Sequence, residues 1–211
     1  MSRTFAAGAV ALTLLVGAPI AESFAESRLT DSVHTAVAQL VPGTGINRIE
    51  PRGRPYILSL LGGHEVSTAY VDLDDPAASR MILQRLNRDT GKVNSLLWFS
   101  DVKQSTPLQP VPLAEGVNSS SGTTTLDGET VTVTYTATVT GHTLHVRPKR
   151  VVRSGKRVAG ESIPAQWRTS LTPAPMPLPK TIDFGVRTVT VDADDITVEL
   201  RAENVDAGQA G

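Results

Sequence analysis

One segment constrains the fold more than any other. Val131, Val133, Tyr135, Ala137 and Val139 alternate with Thr130, Thr132, Thr134, Thr136, Thr138 and Thr140. A strand sends successive side chains to opposite faces. Period two over eleven residues therefore predicts one long strand with an apolar face and a hydroxyl face. Asp127-Gly128 before it suits a type I′ hairpin turn, whose central residues need positive φ. Gly141-His142 after it is a second turn. Leu144, Val146 and Val152 carry a return strand to Ser154-Gly155, and Val158 begins another. Composition points the same way: 24 Thr and 23 Val among 211 residues are β-branched side chains that pack well on sheets.

Further strands are predicted on both sides. Ile46 to Glu50 is a short extended piece. Val66 to Leu73 reads as a strand broken by Asp72-Leu73-Asp74-Asp75-Pro76. Ala77 to Asn87 fits neither the helical nor the strand period. Lys92 to Lys103 holds Leu96-Leu97-Trp98-Phe99, a strong strand signal. Val189 and Val191 alternate with Thr190, Asp192 to Asp195 turn the chain, and Ile196, Val198 and Leu200 alternate with polar residues. Ser105 to Thr125 is a loop by its prolines and its Ser119-Ser120-Ser121-Gly122 run. Residues 206–211 read as a disordered tail.

Glu26 to Val41 reads as a helix. Leu29, Val33, Ala36, Val37 and Leu40 form an apolar stripe, and Pro42-Gly43 stops it. Tyr56 to Leu61, between Pro55 and Gly62-Gly63, reads as a short helix. Five apolar residues in six exceed one helical face, so the segment is either a fully buried turn or the wall of an apolar pocket. The expected class is α+β: a long curved antiparallel sheet packed around an amino-terminal amphipathic helix.

Residues 5–21 carry no charge and follow Arg3. With Ser23-Phe24-Ala25 ahead of Glu26 they read as an export signal cleaved after Ala25, giving residues 1–25 as leader and 26–205 as one domain. At 17 residues the run is at the short limit for an uncleaved membrane anchor, the alternative reading. Either reading places the domain outside the cytoplasm, in the cell envelope.

The chain offers little chemistry. It has no cysteine, which excludes disulfides, thiolate metal sites and a cysteine nucleophile. A net charge of −1 argues against a nucleic-acid binder. His142 and His145 stand three apart on strand-like sequence and face opposite sides, unsuited to one metal. Asp72, Asp74 and Asp75, like Asp192, Asp194 and Asp195, read as turn formers and lack an EF-hand's loop and glutamate. No nucleophile elbow or glycine-rich phosphate loop is present. No cofactor, no metal and no catalysis are expected.

Two features remain. Arg147, Lys149, Arg150, Arg153, Lys156 and Arg157 place six positive charges in eleven residues. They suit either docking to anionic headgroups or a charged hairpin that discourages edge pairing. Pro173, Pro175, Pro177 and Pro179 occupy alternate positions, which forbids helix and central strand. This extended connection interleaves Met176 and Leu178, and is either a surface crossing or the lip of an apolar groove.

Pro42-Gly43, the run Gly53-Arg54-Pro55-Tyr56-Ile57-Leu58-Ser59-Leu60-Leu61-Gly62, and Leu178-Pro179 leading into a Val-rich hairpin resemble the actinobacterial LmeA-like phospholipid-binding proteins. The resemblance spans about Glu26 to Val205 and rests on moderately specific motifs. It departs at Tyr56, where Phe is expected, and in a long polar stretch from Ala77 to Asn94. It implies a fold like half of a tubular lipid-binding module. It also implies phospholipid binding in the envelope, with a role in maintaining or transporting lipids or lipoglycans, and no reaction of its own. The expected lining is Tyr56, Ile57, Leu60, Leu61, Val131, Val133, Tyr135, Val139, Met176 and Leu178. Arg147, Lys149, Arg150 and Arg153 would meet headgroups or the membrane surface. The competing readings are an envelope scaffold whose groove binds a protein partner, and an envelope hydrolase.

Overall fold

The computed structural model describes residues 4–53, 55–56, 60–61, 63–111, 120–193 and 195–209, with side chains from residue 19 onward. Helix α1 (Thr4–Leu40) runs unbroken from the uncharged segment into the expected amphipathic helix. Leu29, Val33, Ala36, Val37 and Leu40 are all buried, as the stripe requires. Ala25 is buried as well, so the packed part of the helix begins before Glu26. Among the described residues no helix is long and apolar enough to cross a membrane.

The strands form two antiparallel sheets rather than one. The first has the order β1-β2-β3-β4-β12-β11: β1 (Gly45–Arg52), β2 (Glu65–Asp74), β3 (Arg80–Asn87), β4 (Lys92–Lys103), β11 (Gly185–Val191) and β12 (Asp195–Asp206). The second joins β10 (Met176–Pro177), β8 (Thr143–Arg153), β7 (Glu129–Thr140), β6 (Ser121–Leu126) and β5 (Gln109–Pro110), with β9 (Lys156–Ala159) also on β8. Helix α1 packs on β1 and β2. Strand β11 meets β7 and β6 and so bridges the sheets. Gly122 permits this approach, because a Cβ there would stand 2.8 Å from Val191 Cγ1. One continuous core results.

Two of the three predicted hairpin turns have positive φ at both central residues. Asp127 and Gly128 lie at φ 51° and 79°, and Ser154 and Gly155 at 45° and 76°. The ambiguous stretch resolves into β3, and the structure explains why its period failed. Arg85 adopts φ 55°, and the buried positions change parity there, from Met81 and Leu83 to Leu86. Asn204 does the same on β12, between Ala202 and Val205. The row Gln84–Ser95–Glu203 runs beside both residues, so the two irregularities fall at one level of the first sheet.

A helix the sequence reading missed, α2 (Ala165–Leu171), follows Pro164. It buries Trp167 and Leu171, spaced four apart, against the second sheet. Tyr56, Leu60 and Leu61 are helical as expected, while Ile57 lies outside the described residues.

Candidate functional site: an apolar groove under a proline-rich strap

An apolar groove of about 580 Å³ opens among the described residues. Its parts come from four distant stretches. Val41, Pro42 and Thr44 end α1. Asp75, Pro76, Ala77 and Ser79 form the β2–β3 turn. Trp98 and the run Ser100 to Lys103 come from the carboxyl-terminal half of β4. Residues 174–177 and 179–181 arch over as a strap.

Each wall has a local cause. Pro42 cannot continue the helix, so the chain leaves α1 at the groove's end. Asp75 Oδ1 accepts the backbone N–H groups of Ala77 and Ser79, at 3.1 and 2.8 Å, which fixes the tight turn. The aspartates here are turn formers, and no metal-binding cluster occurs among the described residues. The strap is held at both ends. Met176 and Pro177 pair with Leu144 and Thr143 of β8, and the Leu178 N–H donates to the His142 carbonyl at 2.8 Å. At the other end Thr181 Oγ1 donates to the Leu40 carbonyl.

Trp98 forms the floor, 4% exposed, its ring edge-on to Phe184 at 5.6 Å between centroids. Its Nε1–H donates to Ser100 Oγ at 2.6 Å, and Ser100 Oγ shares a hydrogen bond with Ser79 Oγ at 3.2 Å. All three side chains are buried. The rim carries four charges: Asp75, Asp101, Lys103 and Lys180.

The structure distributes the expected lining residues widely. Met176 lines the groove, and Leu178, next in the strap, is buried beneath it. Val131, Val133 and Tyr135 are buried in the core of the second sheet, and Val139 is half-buried at its margin. Burial pushes the Tyr135 hydroxyl well above its ordinary value, a shift that neighbouring Gln104 only partly opposes. Tyr56 is buried between α1 and β1. Its hydroxyl donates to the Pro51 carbonyl at 2.8 Å and its N–H to Glu22 Oε1 at 2.6 Å. Leu60 borders a separate, polar cleft with Arg28, Asp31, Arg88 and Asp89. Leu61 is 78% exposed. The segment around Tyr56 and the strap therefore belong to different sites.

The cationic run is divided by a β-bulge. The register of β7 with β8 shifts between Thr134 and Tyr135, so two residues of β8 occupy one step. Arg147, Lys149 and Arg150 lie on the hydroxyl face, and Arg150 Nη2 donates to Thr134 Oγ1 at 3.4 Å. Arg153 is turned to the opposite face, opposite Val131. There its guanidinium clasps Glu129 through two hydrogen bonds and lies over the Trp167 ring, 5.4 Å from its centroid. Glu129 is held below the usual carboxylate range, chiefly by the hydrogen bond from Arg153. Arg147, Lys149, Arg150, Lys156 and Arg157 have no ion pair among the described residues.

Sequence reasoning found the strap but missed Trp98, Ser79, Ser100 and Lys180 as groove residues. Trp98 was legible only as part of a strand. No local pattern marks a turn serine that meets a strand serine 21 residues away. Comparison of the chain with protein-family models, with curated proteins and with solved structures yields no match.

Proposed function

We propose that this chain is an exported envelope protein that binds the acyl chain of a phospholipid in the groove under residues 174–181. The observation that carries this reading is the groove itself. It is apolar, floored by an indole, open to solvent and within the 300–1,000 Å³ range of ligand sites. Burying one methylene gains about 0.8 kcal/mol, so a 16-carbon chain gains roughly 12 kcal/mol against water. Against a bilayer the gain is close to nil, because the chain leaves one hydrocarbon phase for another. Exchange near balance suits a carrier or sensor. On β8, the strand that anchors the strap, Arg147 and Lys149 are exposed and the half-buried Arg150 lies between them and the bulge; none has an ion pair among the described residues, and they suit contact with an anionic membrane surface. The resemblance implies half of a tubular lipid-binding module, and an α+β fold of a helix packed on antiparallel sheets supports that reading in general class only. In this reading the protein performs no reaction and serves envelope lipid maintenance or transport.

The test is mass spectrometry of organic extracts from protein purified out of its native envelope. About one phospholipid per chain is expected, reduced by Met176→Gln. Protein that carries no lipid above the level of an unrelated envelope protein overturns the reading.

A further inference from the structure

Strand β8 gathers positive charge at its bulge. Arg147 stands opposite Thr136 of β7, Pro148 opposite Tyr135 and Arg150 opposite Thr134, which leaves Lys149 as the extra residue. Pro148 is buried, like Tyr135, while Arg147 and Lys149 are exposed and Arg150 is half-buried. Lys149 and Arg150 therefore leave the sheet on the same side, the hydroxyl face that Arg147 shares. Thr134 and Thr136 are two residues apart, about 7 Å along the strand. Regular pairing would set two outward side chains of β8 against that stretch; the bulge sets three, and all are cations.

No acid on this face offsets them. Within β6 to β9 the one carboxylate is Glu129, which Arg153 clasps on the other face. Arg147, Lys149 and Arg150 have no ion pair among the described residues. Arg150 Nη2 reaches the Thr134 hydroxyl at 3.4 Å, and its buried Nε has no hydrogen-bond partner. Like charges gathered in this way repel one another, and an anion placed among them relieves the repulsion.

The neighbouring groups say which anion fits. Thr134 Oγ1 and Ser121 Oγ share a hydrogen bond at 2.8 Å and put hydroxyls beside the guanidinium. A guanidinium fork flanked by point charges and hydroxyls matches the two charged oxygens of a phosphodiester. The face is the outer side of a sheet, so it meets a ligand presented by another surface. Four residues, or about 13 Å, separate Arg147 from Thr143, which with Leu144 anchors the strap. We infer that the bulge is a phosphate site, in which Arg147, Lys149, Arg150 and the Thr134 hydroxyl take the headgroup phosphodiester of an anionic phospholipid still in its bilayer. This rests on the membrane contact read above and gives it a defined site. Docking there holds the strap beside the membrane.

The full chain is sedimented with phosphatidylcholine–phosphatidylglycerol vesicles at fixed ionic strength. Two variants that remove the same charge are compared. Arg147→Gln with Lys149→Gln alters the bulge, whereas Lys156→Gln with Arg157→Gln alters exposed cations of β9. The first pair should weaken vesicle binding about tenfold and the second less than about threefold. Arg150→Lys keeps the charge but loses the fork, and should weaken binding severalfold. Thermal unfolding of the same samples excludes unfolded protein. Equal losses from the two pairs, or no loss in Arg150→Lys, overturn the site and leave a diffuse cationic patch. Saturable binding of inorganic phosphate without vesicle binding overturns the bilayer as its source. Wild-type protein that carries lipid in its organic extract yet leaves vesicles unbound overturns this inference alone. The expected pattern of vesicle binding without extracted lipid upholds the site and overturns the acyl-chain reading.

Discussion

Thr181 Oγ1 donates a hydrogen bond to the Leu40 carbonyl at 2.9 Å, between residues 141 positions apart in the chain. Leu40 ends α1, where the last carbonyls have no partner within the helix. The bond therefore completes a helix terminus and pins the strap over the groove. Thr181→Val keeps the shape and removes the donor. It should cost about 1 kcal/mol. For a domain of this size that lowers Tm by roughly 2–4 °C. Hydrogen exchange of residues 176–182 should rise; unchanged exchange would show that the pairing with β8 holds the strap alone.

Position in the fold separates two apolar residues that the sequence treats alike. Met176 lines the groove, whereas Leu60 borders the polar cleft beside α1. Met176→Gln should reduce lipid retained per folded molecule, and Leu60→Gln should leave it unchanged. Thermal unfolding recorded on the same samples removes unfolded protein from the comparison. Loss of lipid in Leu60→Gln would reinstate that segment as lining.

The bulge in β8 predicts different phenotypes for neighbouring cations. Arg147 and Lys149 are exposed and have no ion pair among the described residues, so reversing both to Glu should weaken binding to anionic vesicles at low salt and leave Tm nearly unchanged. Arg153→Glu meets Glu129 instead and should lower Tm. Vesicle co-sedimentation and calorimetry distinguish the two; a double reversal that binds vesicles as wild type does removes the membrane role.

Glu129 gives a pH dependence of known sign. Its folded-state pKa is depressed by Arg153, so its contribution is present above the unfolded carboxylate value and fades as pH falls through the folded one. Glu129→Gln should therefore lower stability at neutral pH and converge on wild type in acid. Parallel unfolding curves at every pH would remove Glu129 from the acid response.

The packed helix begins before the expected cleavage point. Glu22 Oε1 accepts the Tyr56 N–H, and Ala25 is buried in the core. A chain starting at Glu26 loses both contacts and should unfold at lower temperature than one starting at Ala21, by about 1 kcal/mol for the hydrogen bond alone. Equal melting temperatures would show that the domain proper starts at Glu26. Intact mass of the protein purified from its native source reports which chain is made.

Local pattern fixed much of the secondary structure. The Val–Thr alternation dictated β7 because side-chain direction in a strand depends only on residue parity. The stripe from Leu29 to Leu40 dictated the helix for the same kind of reason. Positive φ demanded by two-residue hairpins placed the turns at Asp127-Gly128 and Ser154-Gly155. The alternating prolines marked an extended segment, since they exclude helix and central strand.

Tertiary structure decided the rest, because it depends on which faces meet. Parity tells that a strand has an apolar face but not which element covers it; here β11 bridges two sheets where one was expected. One extra residue in β8 turned Arg153 away from Arg147, an effect set by pairing with β7 and invisible along the chain. The left-handed backbone of Arg85 broke the period of β3, at the level where Asn204 does the same on β12. The groove needs residues near 42, 76, 98 and 176 at one place, and its buried Trp98–Ser100–Ser79 cluster joins β4 to the β2–β3 turn. Sequence spacing carries no record of such meetings, since they are fixed by long-range packing of surfaces that each satisfy their own local rules.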